Sequence, residues 1–469
     1  MQLGRVVNNS VALLFLDLVN KLIPWVVFPW VVRALGPQVY GRLGFAGAVA
    51  GFFGLLASPG FTTYTLREAA KSPDRVSFLV RHVIGARVVF AVGAFCLLAV
   101  FAAFFAPRDG QTRALILLYG LAFITSSLDI QWVFAARSRM WIIAARGILA
   151  QLAYAGLILT LVRNAEDAWV VPTAAVVSSA LTVLLLWFPA RHQYQVPVPS
   201  FAPQTWRIFL PVCLTIGFAS LMSMIYDQID TIMLKYFRSD GEVGMYVAAY
   251  SLMAAAMSFP PILGQVFGPL LAESADKDST NEVKYVHWMG NAMFGLAVPI
   301  AVGGFILATP LTGWVLGRQY SGSENLFRWL MLTVLAGSAA SFFGAQLIPN
   351  DREKKYLRAV LAGAATNVVL NLVFIPRYGA IAAALTTAFS QGVVAALNYY
   401  FGRDLPRPRI LAAFAIPVPA SVLMALGLLV LRTAYAAHVA VLILCGALFY
   451  LSAYTLGVLL RNRLSLSGT

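Results

Sequence analysis

Long apolar stretches, separated by short polar connections, run along almost the whole of this chain. A helix that crosses a bilayer needs about 20 mostly apolar residues. On this criterion the pattern predicts fourteen membrane-spanning helices, near residues 9–33, 43–66, 78–105, 113–136, 140–162, 168–189, 208–234, 243–271, 286–309, 325–348, 356–376, 379–400, 409–431 and 437–460. The connections between them are too short for a folded soluble domain. We therefore expect an all-α membrane protein.

Composition supports this class. Of the 469 residues, 60% are hydrophobic and 11% are charged, whereas soluble domains carry about 25% charged residues. The net charge of +15 lies mostly in the connections, where anionic lipid headgroups attract Lys and Arg, so we expect no nucleic-acid partner. Cys96, Cys213 and Cys445 fall inside predicted helices and lack the spacing of a metal site. We expect no disulfide, metal or cofactor.

The distribution of Lys and Arg predicts the orientation. The connections on the side of the N-terminus carry roughly twice as many of them as the opposite connections, and such residues concentrate on the cytoplasmic side. With an even number of helices, both termini are then cytoplasmic. We expect a multi-pass protein of the bacterial cytoplasmic (inner) membrane.

Two pairs of matching segments indicate an internal repeat. Gly36–Gly41, after the first predicted helix, parallels Gly241–Tyr246 after the seventh, with Gly41 on Gly244. Gln131–Trp141 matches Gln346–Tyr356 at a similar offset. These anchors predict two six-helix lobes that run in the same sense, related by pseudo-symmetry, with a substrate cavity between them. The predicted divisions are an N-lobe at 1–190, a cytoplasmic linker at 191–207, a C-lobe at 208–402 and two additional helices at 403–469.

Short motifs also occur in order along nearly the whole chain. They are Arg33-Ala34-Leu35-Gly36-Pro37 with Tyr40-Gly41, Gly60-Phe61 leading to Arg67-Glu68, Asp227-x-x-Asp230, Gly241-x-Val243-Gly244-x-Tyr246, and Gln346–Lys354 followed by Asn367 and Asn371. In these motifs the chain resembles the polysaccharide-biosynthesis (O-antigen or lipid-linked oligosaccharide) flippases of the multidrug/oligosaccharidyl-lipid/polysaccharide exporter superfamily.

The resemblance implies a bundle of two six-helix lobes that open alternately to either side. It also implies the substrate, a polyprenyl-diphosphate-linked oligosaccharide carried from the cytoplasmic to the outer leaflet for cell-surface polysaccharide biosynthesis. The partners expected on this basis are that lipid, membrane lipids and polysaccharide-assembly proteins. A cation-coupled multidrug exporter of the same superfamily is the alternative. A membrane glycan polymerase or ligase is disfavoured because a large outer loop is missing, and no catalytic set of residues is found, so we expect no enzyme.

Three of the charged side chains inside predicted helices, where a charge costs about 2.5 to 3.5 kcal/mol, are candidates for cavity charges. Asp17 and Lys21 are four residues apart and so share one helix face. Either they neutralise each other, or they line the cavity and Lys21 contacts the substrate diphosphate. Arg87, about two turns into the third helix, either joins that cavity or extends toward the cytoplasm.

Acidic residues within the helices are candidates for proton or sodium coupling. Asp227 and Asp230 lie on one stripe of the seventh helix with Ser220 and Ser223, and two neighbouring carboxylates raise one pKa or attract a cation. The alternative is that they lie near the outer interface, solvated or paired with Lys235. Asp129, on the fourth helix, keeps the exporter hypothesis open.

Neutral polar residues in the helices are candidates for a glycan path. Thr125 lies on the fourth helix, and Asn367 and Asn371 are one turn apart on the eleventh. Such groups commonly form hydrogen bonds from helix to helix, which is the favoured interpretation. The sharper alternative is that they bind sugar hydroxyls along the transport path.

Overall fold

The computed structural model describes residues 2–72, 75–137, 139–194, 199–275, 279–405, 413–434 and 438–466. Within the helices, the side chains of residues 2–21, 193–194, 219, 223, 226–227, 275, 279–280, 433–434 and 461–466 are outside this description. All the longer elements in the described ranges are α-helices, with short 3-10 turns at Ala165–Trp169 and Arg318–Tyr320.

The helices follow one another with short connections. In chain order they are α1 (Gln2–Ala57), α2 (Phe61–Lys71), α3 (Val76–Phe104), α4 (Gly110–Ser127), α5 (Gln131–Ala136), α6 (Met140–Leu161), α7 (Val170–Tyr194), α8 (Pro203–Trp206), α9 (Leu210–Phe237), α10 (Asp240–Ala256), α11 (Phe259–Ala275), α12 (Ser279–Ile306), α13 (Ala308–Val315), α14 (Ser323–Leu347), α15 (Glu353–Phe401), α16 (Pro417–Ala434) and α17 (Val439–Leu466). Ten helical segments of the described chain are long and apolar enough to cross a membrane. The predicted all-α, multi-pass class is thereby confirmed, while the count of fourteen stays a prediction.

Helix α1 is too long for a single straight crossing. Its 56 residues would extend about 84 Å at 1.5 Å per residue, against a hydrocarbon core of about 30 Å. The helix is interrupted at Gly36, whose φ of 71° is a conformation that glycine adopts at little cost. Because the rings of Phe28 and Tyr40 lie 6.3 Å apart, the two arms approach each other at this break.

Helix α15 is a hairpin of two antiparallel arms. Its 49 residues are interrupted at Gly379, where φ is 62°. Asn367 Nδ2 donates to Ser390 Oγ at 3.4 Å, although the residues are 23 positions apart and would be about 35 Å apart on a straight helix. Beyond the two ends, Arg352 and Asp404 form two hydrogen bonds of 2.7 and 2.5 Å. The arms correspond to the predicted helices 356–376 and 379–400.

The predicted helix at 43–66 is divided between α1, which ends at Ala57, and α2, which begins at Phe61. Two further predicted helices are divided. The stretch predicted as one helix at 243–271 forms α10 and α11, because Pro260 and Pro261 lack the N–H that would continue the hydrogen bonds of α10. The stretch at 113–136 forms α4 and α5, which are separated at 128–130. Side chains from other helices stabilise that second break.

The helices group into two compact units. The first comprises Met1–Lys235 and Ser239–Gly244, and the second comprises Tyr236–Arg238 and Met245–Thr469. The first unit has one core around Phe45 and Leu98 and another around Trp132 and Phe209. Most of α9 belongs to this unit, whereas the sequence suggested that α9 begins the second lobe. The predicted lobe boundaries stay a prediction.

Candidate functional site

The first candidate pair lies outside the described side chains. Asp17 and Lys21 fall in the part of α1 whose side chains are not described, and so does Asp227 in α9. Their predicted roles as cavity charges and as a coupling carboxylate therefore stay predictions. The site geometry comes from four described parts of the first unit: the second arm of α1, α4, α9 and the start of α10.

The two copies of the repeated motif meet in this unit. Gly41, on the second arm of α1, and Gly244, in α10, lie backbone to backbone, since a Cβ on Gly41 would lie 2.8 Å from Gly244 N. The same Cβ would overlap the carbonyl oxygen of Asp240, and a Cβ on Gly244 would overlap that of Pro37. Only glycine permits this approach. We call the contact of Gly41 and Gly244 the glycine crossing.

Charged side chains surround the glycine crossing. Arg42 Nε lies 2.7 Å from Asp240 Oδ2 and 3.4 Å from Asp109 Oδ2, and Arg42 Nη1 donates to Gln111 Oε1 at 2.5 Å. Lys235 also pairs with Asp240. These five residues are called the Arg42 network. They join α1, the start of α4, the end of α9 and the start of α10 in one set of charge-assisted contacts.

Asp109 connects this network to the start of α4. Its carboxylate accepts hydrogen bonds from the backbone N–H groups of Gln111 and Thr112, both at 3.2 Å, and from the Thr112 hydroxyl at 2.7 Å. Burial raises the pKa of Asp109, but these hydrogen bonds and the charge of Arg42 outweigh burial, and the pKa lies below its ordinary value. The carboxylate therefore stays ionised at neutral pH as an N-cap and an ion-pair partner.

A cavity of about 270 Å³ lies next to the glycine crossing. Its lining comes from α1, α4 and α9: Tyr40, Leu43, Gly44, Gly47, Ala48, Tyr119, Met224 and Gln228. The polar groups are two phenol hydroxyls and one amide, which are neutral donors and acceptors. Sequence reasoning missed Tyr119 and Gln228. The small residues at 41, 44 and 47, which share one helix face, were the signal of a close helix approach in this region.

The predicted cavity cation Arg87 has a structural role. Its side chain is 4% exposed, and its two terminal nitrogens donate to the backbone oxygens of Asp129 and Ser126, both at 2.8 Å. Those carbonyls belong to the last turn of α4 and the residues after it, where carbonyls lack the regular i+4 partner; Ser126 O also accepts from Asp129 N at 3.1 Å. A buried cation at a helix C-terminus is favourable. Binding of the diphosphate by Arg87 stays a prediction.

Asp129 lies at the same break. Its carboxylate accepts from Gln131 N at 2.8 Å, which caps α5, and Arg146 Nη1 lies 3.8 Å from its other oxygen. Arg146 also donates to the Gln131 side chain, and Trp187 Nε1 donates to Leu128 O at 2.7 Å. The structure thus brings Arg87 and Asp129 together, and it adds Arg146 and Trp187, which sequence reasoning did not connect to this site.

The remaining candidates form contacts within or between helices. Thr125 donates to Ser179 Oγ of α7 at 2.9 Å. Asn371 Nδ2 donates to Asn367 Oδ1 at 2.9 Å, and Thr386 donates to Asn371 Oδ1. Asp230 is 1% exposed and accepts from Thr231 N at 2.8 Å. For Thr125 and the two Asn these contacts agree with the helix-to-helix interpretation; a glycan path and ion coupling stay predictions.

The chain is similar to a family of polysaccharide-biosynthesis proteins, to an O-antigen transporter and to a flippase of known structure. The family described as polysaccharide biosynthesis protein matches residues 6–275. A putative O-antigen transporter of Shigella dysenteriae is 22% identical over 406 residues, which cover 82% of this chain and 98% of that protein. The structure of a lipid II flippase, MurJ, in an inward closed conformation superposes with a TM-score of 0.68 at 15% identity, covering 98% of this chain and 100% of that one.

A multidrug resistance MATE family transporter in an inward-facing conformation superposes with a TM-score of 0.54 at 15% identity. That superposition covers 84% of this chain and 95% of the other. At these identities the two solved structures establish a common fold.

Proposed function

The chain belongs to the polysaccharide biosynthesis protein family, and from this premise we propose that it translocates a polyprenyl-diphosphate-linked oligosaccharide from the cytoplasmic to the outer leaflet. It acts as a transporter by alternating access and not as an enzyme. The similarity to a putative O-antigen transporter over most of both chains supports this substrate class. The likeness to a lipid II flippase supports the fold that the mechanism requires.

The observation that carries the mechanism is the glycine crossing. The two helices approach through main-chain atoms at Gly41 and Gly244, and the Arg42 network connects them by ion pairs at 2.7 and 3.4 Å. Partly exposed ion pairs are individually weak, so they can close a path without making closure permanent. With the predicted orientation, this closure lies toward the outer leaflet, and separation at the crossing would release the glycan there.

Different residues recognise the glycan and the diphosphate. The neutral groups of Tyr40, Tyr119 and Gln228 contact sugar hydroxyls in the cavity beside the crossing. Lys21, with Asp17 as its neighbour, stays the candidate for the diphosphate. A proton or sodium ion would use Asp227, Asp230 or Asp129. We propose fourteen crossings, counting the arms of α1 and α15 separately, with both termini in the cytoplasm of a bacterium and with polysaccharide-assembly proteins as partners.

Translocation in proteoliposomes tests the proposal. The purified protein is reconstituted with a fluorescent polyprenyl-diphosphate oligosaccharide, and a lectin added outside reports the glycan that reaches the outer leaflet. We expect time-dependent exposure with the native protein and none with Gly244→Leu, which blocks the crossing. A matched control is Gly156→Leu, because space is open around Gly156. Equal exposure in protein-free vesicles and in proteoliposomes would contradict the proposal.

A second candidate function is cation-coupled drug export. The buried carboxylate of Asp230 favours it, since such groups couple transport to ions. Efflux of a fluorescent organic cation, driven by an imposed proton or sodium gradient in the same vesicles, distinguishes the two. Cation efflux that is lost in Asp230→Asn, without glycan exposure, would favour the exporter.

A further inference from the structure

A groove of about 530 Å³ runs along the α15 hairpin. One wall is the stripe Leu370, Phe374 and Tyr378 of the first arm, and the other is the stripe Ile381, Leu385 and Phe389 of the second arm. Each stripe repeats every four residues and so lies on one helix face. Two helical turns give a length of about 12 Å. The volume is within the usual range of ligand sites, about 300–1,000 Å³.

Apart from the exposed Tyr378 hydroxyl, the lining has no polar group that needs a ligand. Ala382 and Thr386, both buried, complete the groove between the walls. The Thr386 hydroxyl is already bonded to Asn371 and to Ala383 O. The outer side chains are exposed aromatic rings, Tyr378 at 62% and Phe389 at 60%. A polar ligand would lose its hydrogen bonds here, so the groove suits a hydrocarbon chain.

The hairpin tip, at one end of the groove, is cationic. Arg238 donates to the backbone oxygens of Ile375 at 3.2 Å and Pro376 at 3.0 Å, which belong to the last turn of the first arm. Arg377 is exposed beside them and precedes the wall residue Tyr378. Arg238 therefore lies at the hairpin tip, and Arg377 immediately precedes the last residue of one wall. Guanidinium groups bind phosphate oxygens with paired hydrogen bonds.

We propose that this groove binds the isoprenoid chain of a polyprenyl diphosphate, with the two phosphates at Arg238 and Arg377. Two cations at one end match a diphosphate better than the single phosphate of a membrane phospholipid. This proposal rests on the proposed function, because it places the lipid of that substrate. With the predicted orientation, the cationic end faces the outer leaflet, where the site would hold the carrier lipid after translocation.

Photo-crosslinking of the full-length protein in lipid nanodiscs tests the groove. The probe is a glycan-free polyprenyl diphosphate with a diazirine in its chain, and labelled peptides are mapped by mass spectrometry. We expect labelling of the peptides that contain Phe374 and Phe389. Ala382→Phe fills the groove and should reduce labelling roughly tenfold, the effect of losing about 60 Å² of apolar contact. Leu372→Phe, on an exposed position of the same arm outside the groove, is the matched control.

Two further variants do not depend on packing at Ala382. Phe389→Ala removes an exposed side chain of one wall, and Arg377→Gln removes an exposed cation. Both variants should reduce labelling and leave the melting temperature unchanged. Equal labelling of the Ala382→Phe and Leu372→Phe proteins would overturn the proposal. So would competition by phosphatidylglycerol as effective as by unlabelled polyprenyl diphosphate, because the groove would then be a general lipid site.

The proposal and the proposed function fail separately. Groove labelling without glycan exposure in proteoliposomes would retain the lipid site and reject translocation. Glycan exposure that survives in Ala382→Phe and in Phe389→Ala, with no groove labelling in the native protein, would retain translocation and reject the groove.

Discussion

The hairpins of α1 and α15 are similar in sequence pattern but are held by different interactions. Both are long apolar helices that break at a glycine with positive φ, Gly36 and Gly379. The α15 arms bind each other directly, through buried Asn, Thr and Ser side chains in the middle and through Arg352 and Asp404 at the ends. The second arm of α1 instead contacts α10, through glycine backbones and partly exposed ion pairs.

This difference separates a fixed element from one that can move. Buried hydrogen bonds lose their partners on separation and must then find others, so the α15 arms stay together. Where α1 contacts α10, Gly41 and Gly244 have no side chains that could form a hydrogen bond. The ion pairs around them can exchange with water. We infer that α15 is a static support and that the second arm of α1 is part of the moving path.

The largest effect is expected at the glycine crossing. Gly244→Ala introduces a Cβ that overlaps Pro37 O, and because a backbone atom cannot turn away, the helices must separate at a cost of about 1–3 kcal/mol. Glycan exposure in proteoliposomes should be abolished. Gly93→Ala, in open space on α3, should transport normally. Full activity of Gly244→Ala would show that the crossing does not close the path.

The second-largest effect is expected at Asn371, which joins the two arms of α15. Asn371→Ala leaves the buried Asn367 Oδ1 without its donor and removes one of the two acceptors of the Thr386 hydroxyl, which costs about 1–3 kcal/mol. We expect a lower melting temperature and an unchanged transport rate per folded molecule. Thr366→Ala, whose hydroxyl bonds only within its own helix turn, serves as the control. Normal stability with altered glycan preference would instead assign Asn371 to the glycan path.

A smaller effect on stability, with a clear effect on conformation, is expected from the Arg42 network. Arg42→Gln should change the free energy of unfolding by less than about 1 kcal/mol; Asp240→Asn should change it more, because the Lys235 side chain, 6% exposed, loses its carboxylate partner. Both should increase labelling of a cysteine at Ala48, in the cavity, by an impermeant maleimide added outside. Arg113→Gln, from the same region but bonded to Pro107 O, should not. Unchanged labelling in both variants would make the network purely structural.

The smallest effect is expected at the ends of α15. The Arg352 hydrogen bonds hold the pKa of Asp404 below its usual range, so the carboxylate's contribution is complete above the unfolded pKa, near 4, and is lost as pH falls through the lower folded value. The difference between the native protein and Asp404→Asn is therefore largest at neutral pH, but it should be only a slightly lower melting temperature, because the Asp404 side chain is exposed. The native protein and the variant should converge further below pH 4. A growing difference there would contradict the assignment.

Sequence reasoning predicted the class and most helices because hydropathy reports directly on burial in lipid. It also placed connections near Gly36 and Gly379, where the apolar pattern is interrupted. The division at Pro260 could have been inferred from proline alone. Ser126, Ser127 and Asp129 interrupt the apolar pattern between α4 and α5, but they did not by themselves predict a break there. The contacts that stabilise this break come from Arg87 and Trp187, which are distant in sequence.

The candidate site was predicted less well than the fold. Asn367 and Asn371 were identified as buried polar residues, but their partners Thr386 and Ser390 became evident only from the reversal at Gly379. Arg87 was assigned a role from its charge, whereas its contacts are to main-chain oxygens. A single sequence indicates which polar groups are buried. It does not indicate which partners satisfy them.

The glycine crossing has a consequence for how such a protein diversifies. Because Gly41 and Gly244 meet through main-chain atoms, the contact does not depend on the side chains that line the neighbouring cavity. If the cavity binds the glycan as we propose, substitutions at Tyr119 or Gln228 would alter which sugars are accepted and leave the glycine crossing unchanged. When recognition and closure depend on different residues, a single substitution can change the substrate without changing closure.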